Sequence, residues 1–188
     1  MNDQNKQDHG WKKFFDSDGI KSNLVRTSLY LFSYELLKNS IVDKIKDFYM
    51  VGFDANEYIY SEDYNKKVVN RKIKGKQNIY LSSLLWLEES GAISKYDVEE
   101  LSNLREYRNT VAHNVDRILT DSDFNLDITK EQRIFEFIRQ IELWWIREVE
   151  IPTNPDYDGS EINDDEIISG KEVFYTYIKN ISDELLKK

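Results

Sequence analysis

The sequence predicts an all-α protein, and three observations support this prediction. The chain has only two prolines, Pro152 and Pro155, so the stretch from about residue 21 to residue 150 lacks the strongest helix breaker. Apolar residues recur there at steps of three and four, which is the period of an amphipathic helix. No segment shows the strict alternation of a half-buried strand. We therefore expect a bundle of four to five helices.

The first half of the chain contains two predicted helices. The first follows an apolar stripe over residues 30–48, and Gly52 is a suitable stop signal. Residues 53–76 are polar, aromatic and basic without a clear period, so we expect a loop there. A second helix is predicted over about residues 77–90, and Gly91 ends it.

Three further helices are predicted in the second half. Ser94 and Asp97 have the spacing of a capping box and would begin the third helix. Thr129 and Gln132 have the same spacing and would begin the fourth. Residues 171–186 follow an acidic linker and form the fifth, shorter helix. The stripe of the third helix consists of Leu101, Leu104, Arg108, Val111 and Val115.

Length and composition favour a single domain. A chain of 188 residues with 40% hydrophobic residues can bury one sizeable core. We expect a polar N-terminal segment over residues 1–20, a bundle over 21–150, and an acidic linker with a last helix, packed on the same domain, over 151–188. The chain has no cysteine, which excludes disulfides and thiolate metal sites. No stretch is typical of a signal peptide or a membrane span, so we expect a cytoplasmic protein without membrane association.

The charge of the chain is segregated. The formal net charge of −9 argues against non-specific binding to long nucleic acids, because such binding depends on neutralising phosphates. Residues 148–166 contain eight acidic residues and no Lys or Arg, and we expect this segment to be exposed to solvent. A second hypothesis is that it mimics RNA or recruits a basic partner.

A small basic patch offsets this acidity locally. It is either an RNA contact or a solvated loop, and no ladder of aromatic residues interleaves its charges. The patch consists of Lys66, Lys67, Arg71, Lys72, Lys74 and Lys76.

Arg108 interrupts the apolar stripe of the third helix with a charge. On an ideal helix its surface neighbours are Leu104, Val111 and Ala112, none of which is acidic. Because an unpaired buried guanidinium is costly, either another helix supplies a carboxylate or Arg108 lines a cleft that receives an anion. Glu35 on the first helix is one candidate partner, although it could equally face solvent.

His113 lies five positions after Arg108, in the predicted last turns of the helix, and Asn109 follows the arginine directly. Arginine holds a phosphate with a rigid fork of donors, and imidazole exchanges protons near neutral pH. These residue types suffice to cleave RNA without a metal ion. The alternative for His113 is a favourable interaction with the helix dipole, with Asn114 as a left-handed cap.

The run Arg108-Asn109-Thr110-Val111-Ala112-His113 resembles the motif of the HEPN superfamily, in which an arginine, a polar residue, three variable positions and a histidine follow one another. The layout around it is also similar, with a long first helix that contains Tyr34-Glu35-Leu36-Leu37-Lys38 and a helical hairpin through Gly91. The resemblance covers roughly residues 21–150. The acidic linker and the last helix lie outside it.

HEPN domains are small all-α domains, and many are metal-independent ribonucleases of toxin–antitoxin, abortive-infection and CRISPR-associated systems. The resemblance implies an up-and-down bundle in which Arg108 binds the scissile phosphate and His113 is general base or acid. Asn109 would position the loop or the phosphate, and Glu35 would support the site. It implies no cofactor, no metal ion and a 2′,3′-cyclic phosphate product. The expected partners are an RNA substrate and an antitoxin or defence-system protein.

One departure from the family pattern concerns control. HEPN toxins that are silenced by a partner nucleotidyltransferase carry a modified tyrosine two residues after the histidine. Val115 occupies that position here, so we do not expect this mode of control.

Helix geometry adds a prediction about assembly. Five residues on a continuous helix turn by about 140°, so the side chains of Arg108 and His113 diverge. Either the helix breaks near Ala112 and lets His113 turn back, or two chains face each other across a two-fold axis. HEPN domains pair in the second way. We therefore expect a homodimer whose interface includes the third helix.

Two functions from different classes are compatible with these features. The first is a HEPN-type endoribonuclease that acts on tRNA or mRNA as a toxin or phage-defence effector. The alternative is a non-catalytic helical dimer that serves as a regulatory or interaction module, which the negative net charge favours. A plain helical scaffold in which Arg108 is merely ion-paired is a third hypothesis.

Overall fold

The computed structural model describes residues 16–121, 125–159 and 161–187. Most of these residues are helical, which confirms the predicted all-α class at the level of helix content, while the HEPN-like up-and-down arrangement stays a prediction. In chain order, the α-helices are α1 (Ser17–Lys38), α2 (Lys44–Phe48), α3 (Glu62–Tyr64), α4 (Ile79–Glu89), α5 (Lys95–His113), α6 (Val115–Thr120), α7 (Thr129–Trp145), α8 (Ile151–Thr153) and α9 (Gly170–Leu186).

Shorter elements extend or connect these helices. The π-helical turns Asn39–Asp43, Asn65–Val69 and Ile146–Glu150 continue α1, α3 and α7, and the 3-10 turns Pro155–Tyr157 and Asp164–Glu166 precede α9. The strands are β1 (Met50–Asp54), β2 (Glu57–Tyr60), β3 (Lys72–Ile73) and β4 (Lys76–Gln77).

Helix α1 is central to the bundle, since it contacts α5, α6, α7 and α9. Its inward side carries the buried residues Tyr30, Tyr34 and Leu37. The π-helical turn and α2 prolong the same stripe with buried Ile41 and Ile45, as the sequence period predicts. Full burial of such aliphatic side chains stabilises the fold by about 1.5–3 kcal/mol each, so the stripe anchors α1 in the core.

Helix α5 begins and ends where its local sequence dictates. Ser94 and Asp97 form the predicted capping box, in which each side chain accepts a hydrogen bond from the other residue's backbone N–H. At the other end, Asn114 (φ −129°, ψ 33°) interrupts the helix, and its Nδ2 donates to the carbonyl oxygen of Thr110 at 2.7 Å. Asn114 is therefore a cap, although not the left-handed one that the sequence suggested.

The prediction of a loop over residues 53–76 is wrong, because two small antiparallel hairpins and a helical turn lie there. Lys74 (φ 50°) and Gly75 (φ 81°) form the two-residue turn between β3 and β4. Positive φ at both central residues is the pattern of a type I′ turn, which matches the twist of paired strands. Gly52 is not a helix stop but lies in β1 beside a register shift, and the first helix already ends at Phe48.

The predicted capping box at the start of the fourth helix is also wrong. Helix α7 does begin at Thr129, but no side chain there accepts a capping hydrogen bond in the predicted pattern. Instead, the Asp127 carboxylate accepts from the Thr129 backbone N–H at 3.1 Å and from its hydroxyl at 2.7 Å. An acidic side chain two residues earlier is thus the better local acceptor.

The chain ends differ from their predicted boundaries. Most of the predicted polar segment, residues 1–15, lies outside the described residues, and the remainder belongs to the beginning of α1. The acidic segment is exposed to solvent at every described acidic residue, as predicted, although helical structure continues to Thr153. Helix α9 begins at Gly170 with a capping box between Ser169 and Glu172, and it packs against α1 and α7. No helix among the described residues combines the length and apolarity needed to cross a membrane.

Candidate anion-binding cleft

Arg108 forms an ion pair with Glu35, the partner on another helix that the sequence suggested. Its Nη2 donates to Glu35 Oε1 on α1 at 2.6 Å, and its Nη1 donates to Asn109 Oδ1 at 3.4 Å. The guanidinium carbon lies 5.8 Å from the ring centroid of Tyr34. The charge that interrupts the apolar stripe therefore lies at the edge of the core, where α5 meets α1.

This ion pair is too exposed to hold the two helices together. The side chains of Arg108 and Glu35 remain 32% and 46% exposed, and pairs of this kind typically contribute about 0.2–1 kcal/mol. Glu35 is also shared, since Lys38 Nζ approaches its other oxygen at 3.3 Å. Arg108 Nε is buried and has no hydrogen-bond partner among the described residues. An incoming anion could therefore compete with Glu35 at a low cost in stability.

The guanidinium of Arg108 opens onto a cleft of about 300 Å³ between α1, α4 and α5. This volume is at the lower end for small-molecule sites, so the cleft suits a group the size of one nucleotide or less. Its lining consists of Tyr34, Glu35, Lys38, Val42, Ile79, Tyr80, Arg105, Arg108 and Asn109.

Arg105 is a second arginine in this cleft, and it was not among the residues expected there from the sequence. Its guanidinium carbon lies 4.7 Å from the ring centroid of Tyr80, and its Nη1 donates to Asn78 Oδ1 at 3.4 Å. Among the described residues it forms no ion pair with a carboxylate. The spacing of the two arginines could have identified it, because Arg105 precedes Arg108 by three residues and residues three apart lie on one side of a helix.

The electrostatics of the cleft are positive. Lys38, Arg105 and Arg108 line it against a single carboxylate, Glu35, so the lining carries a formal charge of +2. Burial raises the pKa of the Tyr34 phenol, so it stays neutral at physiological pH. In a chain of net charge −9, the cleft is therefore a local concentration of positive charge.

Tyr80 also lines the cleft, and a hydrogen bond holds its ring. Burial raises the pKa of its phenol, which also stays neutral, and its hydroxyl donates to the carbonyl oxygen of Leu101 at 3.2 Å. The hydroxyl thus fixes the ring on which Arg105 lies. The cleft is therefore preformed at this wall.

His113 does not line the cleft. It is the last residue of α5, it is exposed, and the helix persists through it, so the break comes at Asn114 and not near Ala112. A turn of the chain that brings His113 back to Arg108 is thus excluded. Within one chain, the two side chains project about 140° apart around α5.

Asn109 is brought next to Arg108 but points to solvent. Its side-chain oxygen accepts the weak hydrogen bond from Arg108 Nη1, and the residue itself is exposed at the rim of the cleft. Its amide nitrogen has no hydrogen bond among the described residues. Asn109 can therefore both orient the guanidinium and offer a donor to a ligand.

The basic patch is divided by the fold. Arg71 is held by Glu89 through two hydrogen bonds, at 2.7 and 3.1 Å, and Lys67 pairs with Asp63 at 3.0 Å. These two charges are therefore engaged within the protein. The remaining four patch residues are exposed, on a π-helical turn or on the β3–β4 hairpin: Lys66, Lys72, Lys74 and Lys76.

A second, shallower cleft joins the hairpin to the first one. It has a volume of about 530 Å³, and it shares Ile79, Tyr80 and Arg105 with the first cleft. Its other lining residues include Gln77, at the end of β4. Arg105 therefore lines both clefts, with Arg108 in the first and Gln77 of the hairpin in the second.

Comparisons of the chain with protein-family models, with curated proteins and with solved structures find no match. The chemistry of the cleft must therefore be inferred from its own side chains and from the motif in α5.

Proposed function

We propose that the chain is a HEPN-type endoribonuclease that cleaves RNA without a metal ion at a site assembled from two copies. The observation that carries the proposal is the placement of the motif on α5. Arg108 lies in a cationic cleft, whereas His113 is exposed at the end of the same helix and faces elsewhere. A second copy related by a two-fold axis supplies the histidine that one copy cannot bring to its own cleft.

The two residues divide the chemistry. Arg108 binds the non-bridging oxygens of the scissile phosphate and stabilises the charge that develops there in the transition state. The His113 that the second copy supplies takes the proton from the ribose 2′-hydroxyl, the 2′ oxygen attacks phosphorus, and the bond from phosphorus to the 5′ oxygen breaks. The leaving 5′ oxygen takes a proton from water. The products are a 2′,3′-cyclic phosphate and a 5′-hydroxyl end.

The biological role that fits this chemistry is a toxin or phage-defence effector acting on tRNA or mRNA. The negative net charge repels long nucleic acids, so a confined cationic cleft favours a substrate selected by shape over indiscriminate cutting. Such an activity requires restraint, which an antitoxin or a defence-system protein provides.

Cleavage by substituted proteins tests the proposal. His113→Ala and Arg108→Ala should each lower the rate of RNA cleavage, measured with a chelator present, by about 10²-fold or more. Both variants should fold normally, because His113 is exposed and the Arg108 ion pair is half exposed. His9→Ala is the matched control, since His9 is the only other histidine in the chain.

Two outcomes would contradict the proposal. Cleavage that survives both substitutions places the active site elsewhere, and cleavage that disappears with the chelator requires a metal ion. In a bacterial host, growth arrest should follow expression of the wild type and not of His113→Ala.

A second candidate function is a non-catalytic dimer that serves as a regulatory or interaction module. The observation in its favour is that Arg108 already has a carboxylate partner, Glu35, within its own chain. A wild-type protein that neither cleaves RNA nor arrests growth, even when expressed with its genomic neighbours, would favour this module.

A further inference from the structure

We infer that the part of the cleft lined by Arg105 binds the RNA phosphate next to the scissile one, which Arg108 holds, and that Arg105 is the principal ligand of this second phosphate. This inference rests on the proposed ribonuclease function and assigns a second phosphate site to the same surface. Arg105 lies outside the Arg108-to-His113 motif, so the motif alone gives it no role.

The donor groups of Arg105 are available for a ligand. Its only hydrogen bond among the described residues is the 3.4 Å contact from Nη1 to Asn78 Oδ1, near the limit for such a bond. Arg108, in contrast, is engaged by Glu35 at 2.6 Å. A guanidinium presents five N–H donors in a planar fork, so Arg105 retains enough of them to hold a phosphate through two hydrogen bonds.

The ring of Tyr80 fixes the orientation of this fork. The guanidinium carbon of Arg105 lies 4.7 Å from the ring centroid, and the ring is itself buried and anchored by its hydroxyl to Leu101. A side chain that is held in place loses less conformational entropy when it binds a ligand. Arg105 is therefore preorganised for an anion in the cleft.

Two further groups reinforce the positive potential. Helix α4 begins at the cleft with Ile79 and Tyr80, and the N-terminus of an eleven-residue helix carries a partial positive charge. Lys38 lines the same cleft from α1. Both act on the space between Arg105 and Arg108, where a single carboxylate opposes them.

The second cleft gives the direction of the strand. From Arg108, the lining continues through Arg105 to the β3–β4 hairpin, whose exposed residues include Lys72, Lys74 and Lys76. A single-stranded chain that leaves the scissile phosphate along this path meets Arg105 and then Gln77 at the end of β4. Arg105 therefore contributes the first cationic contact beyond the site of cleavage.

Binding of an uncleavable RNA tests the inference separately from catalysis. The probe is a short, unstructured, fluorescently labelled RNA with a 2′-methoxy group on every ribose, which has no 2′-hydroxyl to attack phosphorus. Arg105→Gln should weaken binding of this probe about tenfold, within the range for loss of one forked contact. It should also reduce the slope of log affinity against log salt concentration by about 0.7.

Two variants serve as controls. Arg26→Gln removes the same charge from α1 but lies in a different groove, so its affinity and salt slope should equal those of the wild type. Arg105→Lys keeps the charge and loses the fork, so it should restore the salt slope and recover only part of the affinity.

Equal binding by Arg105→Gln and Arg26→Gln overturns the inference and leaves the proposed cleavage intact. Full recovery of affinity in Arg105→Lys also overturns it, because the site then needs only a charge. The proposed function fails by a different result, namely cleavage that is unaffected by His113→Ala.

Discussion

Arg108 is tolerated at a core position because its charged end reaches the edge of the bundle. Residues one turn away on α5, Leu104 and Val111, are buried, whereas the guanidinium emerges beside Glu35 in the cleft. The stem of a long cationic side chain can cover apolar surface while its head stays accessible. The position therefore satisfies folding and leaves a charge where a ligand can reach it.

Glu35 opposes anion binding in the free protein, which gives a prediction at the residue scale. Glu35→Gln should tighten binding of the 2′-methoxy RNA probe about fivefold, because two charges about 4 Å apart interact by about 1 kcal/mol in water-like surroundings. It should lower the free energy of unfolding by less than about 1 kcal/mol, since the pair with Arg108 is half exposed. Fluorescence anisotropy and urea denaturation measure the two effects.

Glu106→Gln is the control for this substitution. It changes the net charge equally on the exposed side of α5 and lies outside the cleft lining. If both variants tighten RNA binding to the same extent, the effect comes from the net charge and not from the cleft.

At the scale of elements, a largely buried ionic cluster joins α7 and α9 to the π-helical turn and α2 that continue the first helix. The Glu142 carboxylate on α7 accepts hydrogen bonds from Ser40 Oγ in the π-helical turn at 2.7 Å, from Lys44 Nζ at 2.9 Å and from Lys171 Nζ on α9 at 2.9 Å. Lys171 Nζ also donates to Ser40 Oγ. The extra residue in the π-helical turn shifts the register of the first helix at the place where Ser40 enters this cluster.

Removal of the shared carboxylate should be costly. The Glu142 side chain is only 6% exposed, and a charge that loses its buried partner typically destabilises a protein by about 3–5 kcal/mol. We expect Glu142→Gln to lower the free energy of unfolding at pH 7 by about 3 kcal/mol in urea denaturation. Glu136→Gln, on the same helix, breaks an exposed pair with Arg133 and should cost less than about 1 kcal/mol.

The loss of stability in Glu142→Gln should depend on pH. Burial alone would raise the pKa of Glu142, but the hydrogen bonds from Lys171, Lys44 and Ser40 outweigh it, so the pKa lies below the ordinary value of 4.5. A depressed carboxyl pKa contributes stability above the ordinary value, and this is lost as the pH falls through the folded pKa. The difference between wild type and Glu142→Gln should therefore shrink below about pH 4.5. A difference that stays constant down to pH 2 would contradict this origin.

Predictions for elements succeeded where the signal is local and strong. Ser94 with Asp97 caps α5 as expected, because both halves of that box lie within four residues. The Thr129–Gln132 pair has the same spacing, yet Asp127 competes for the same backbone donor and wins. The two hairpins were not predicted because their strands are short and mostly exposed. Apolar and polar residues therefore do not alternate along them as they do in a half-buried strand.

At the scale of the whole molecule, the proposed active site requires two copies. We expect the mass of a dimer by light scattering, with α5 in the interface. The chain has no cysteine, so His113→Cys introduces a single thiol that a short bismaleimide should link efficiently across the two-fold axis. Tyr96→Cys is the control: it is exposed on the same helix, about 25 Å away along its axis.

A monomer by light scattering, or equal cross-linking at both positions, would contradict this arrangement. A competing dimer would use α9, whose outer side exposes Val173, Phe174 and Tyr177. In that case Tyr177→Cys would cross-link and His113→Cys would not. Arg108 and His113 could then not share a site, and the non-catalytic module would become the better proposal.

The sequence by itself determined the helical character and the residues of the motif. Apolar period, capping residues and the scarcity of proline act over a few residues, so they can be recognised without the fold. It also limited the partners of Arg108, since no acidic residue lies next to it on α5. Because a carboxylate partner therefore had to come from another helix, Glu35 on the first helix could be proposed.

Only the tertiary structure decided which charges share a cleft. Lys38, Arg105 and Arg108 come together because α1, α4 and α5 meet at one place, and that meeting depends on packing between residues about 70 positions apart, such as Glu35 and Arg108. It also showed that α5 persists through His113, which keeps the histidine away from the cleft of its own chain. A sequence pattern that spans a few residues cannot predict these contacts, because the contacts depend on how whole helices pack against one another.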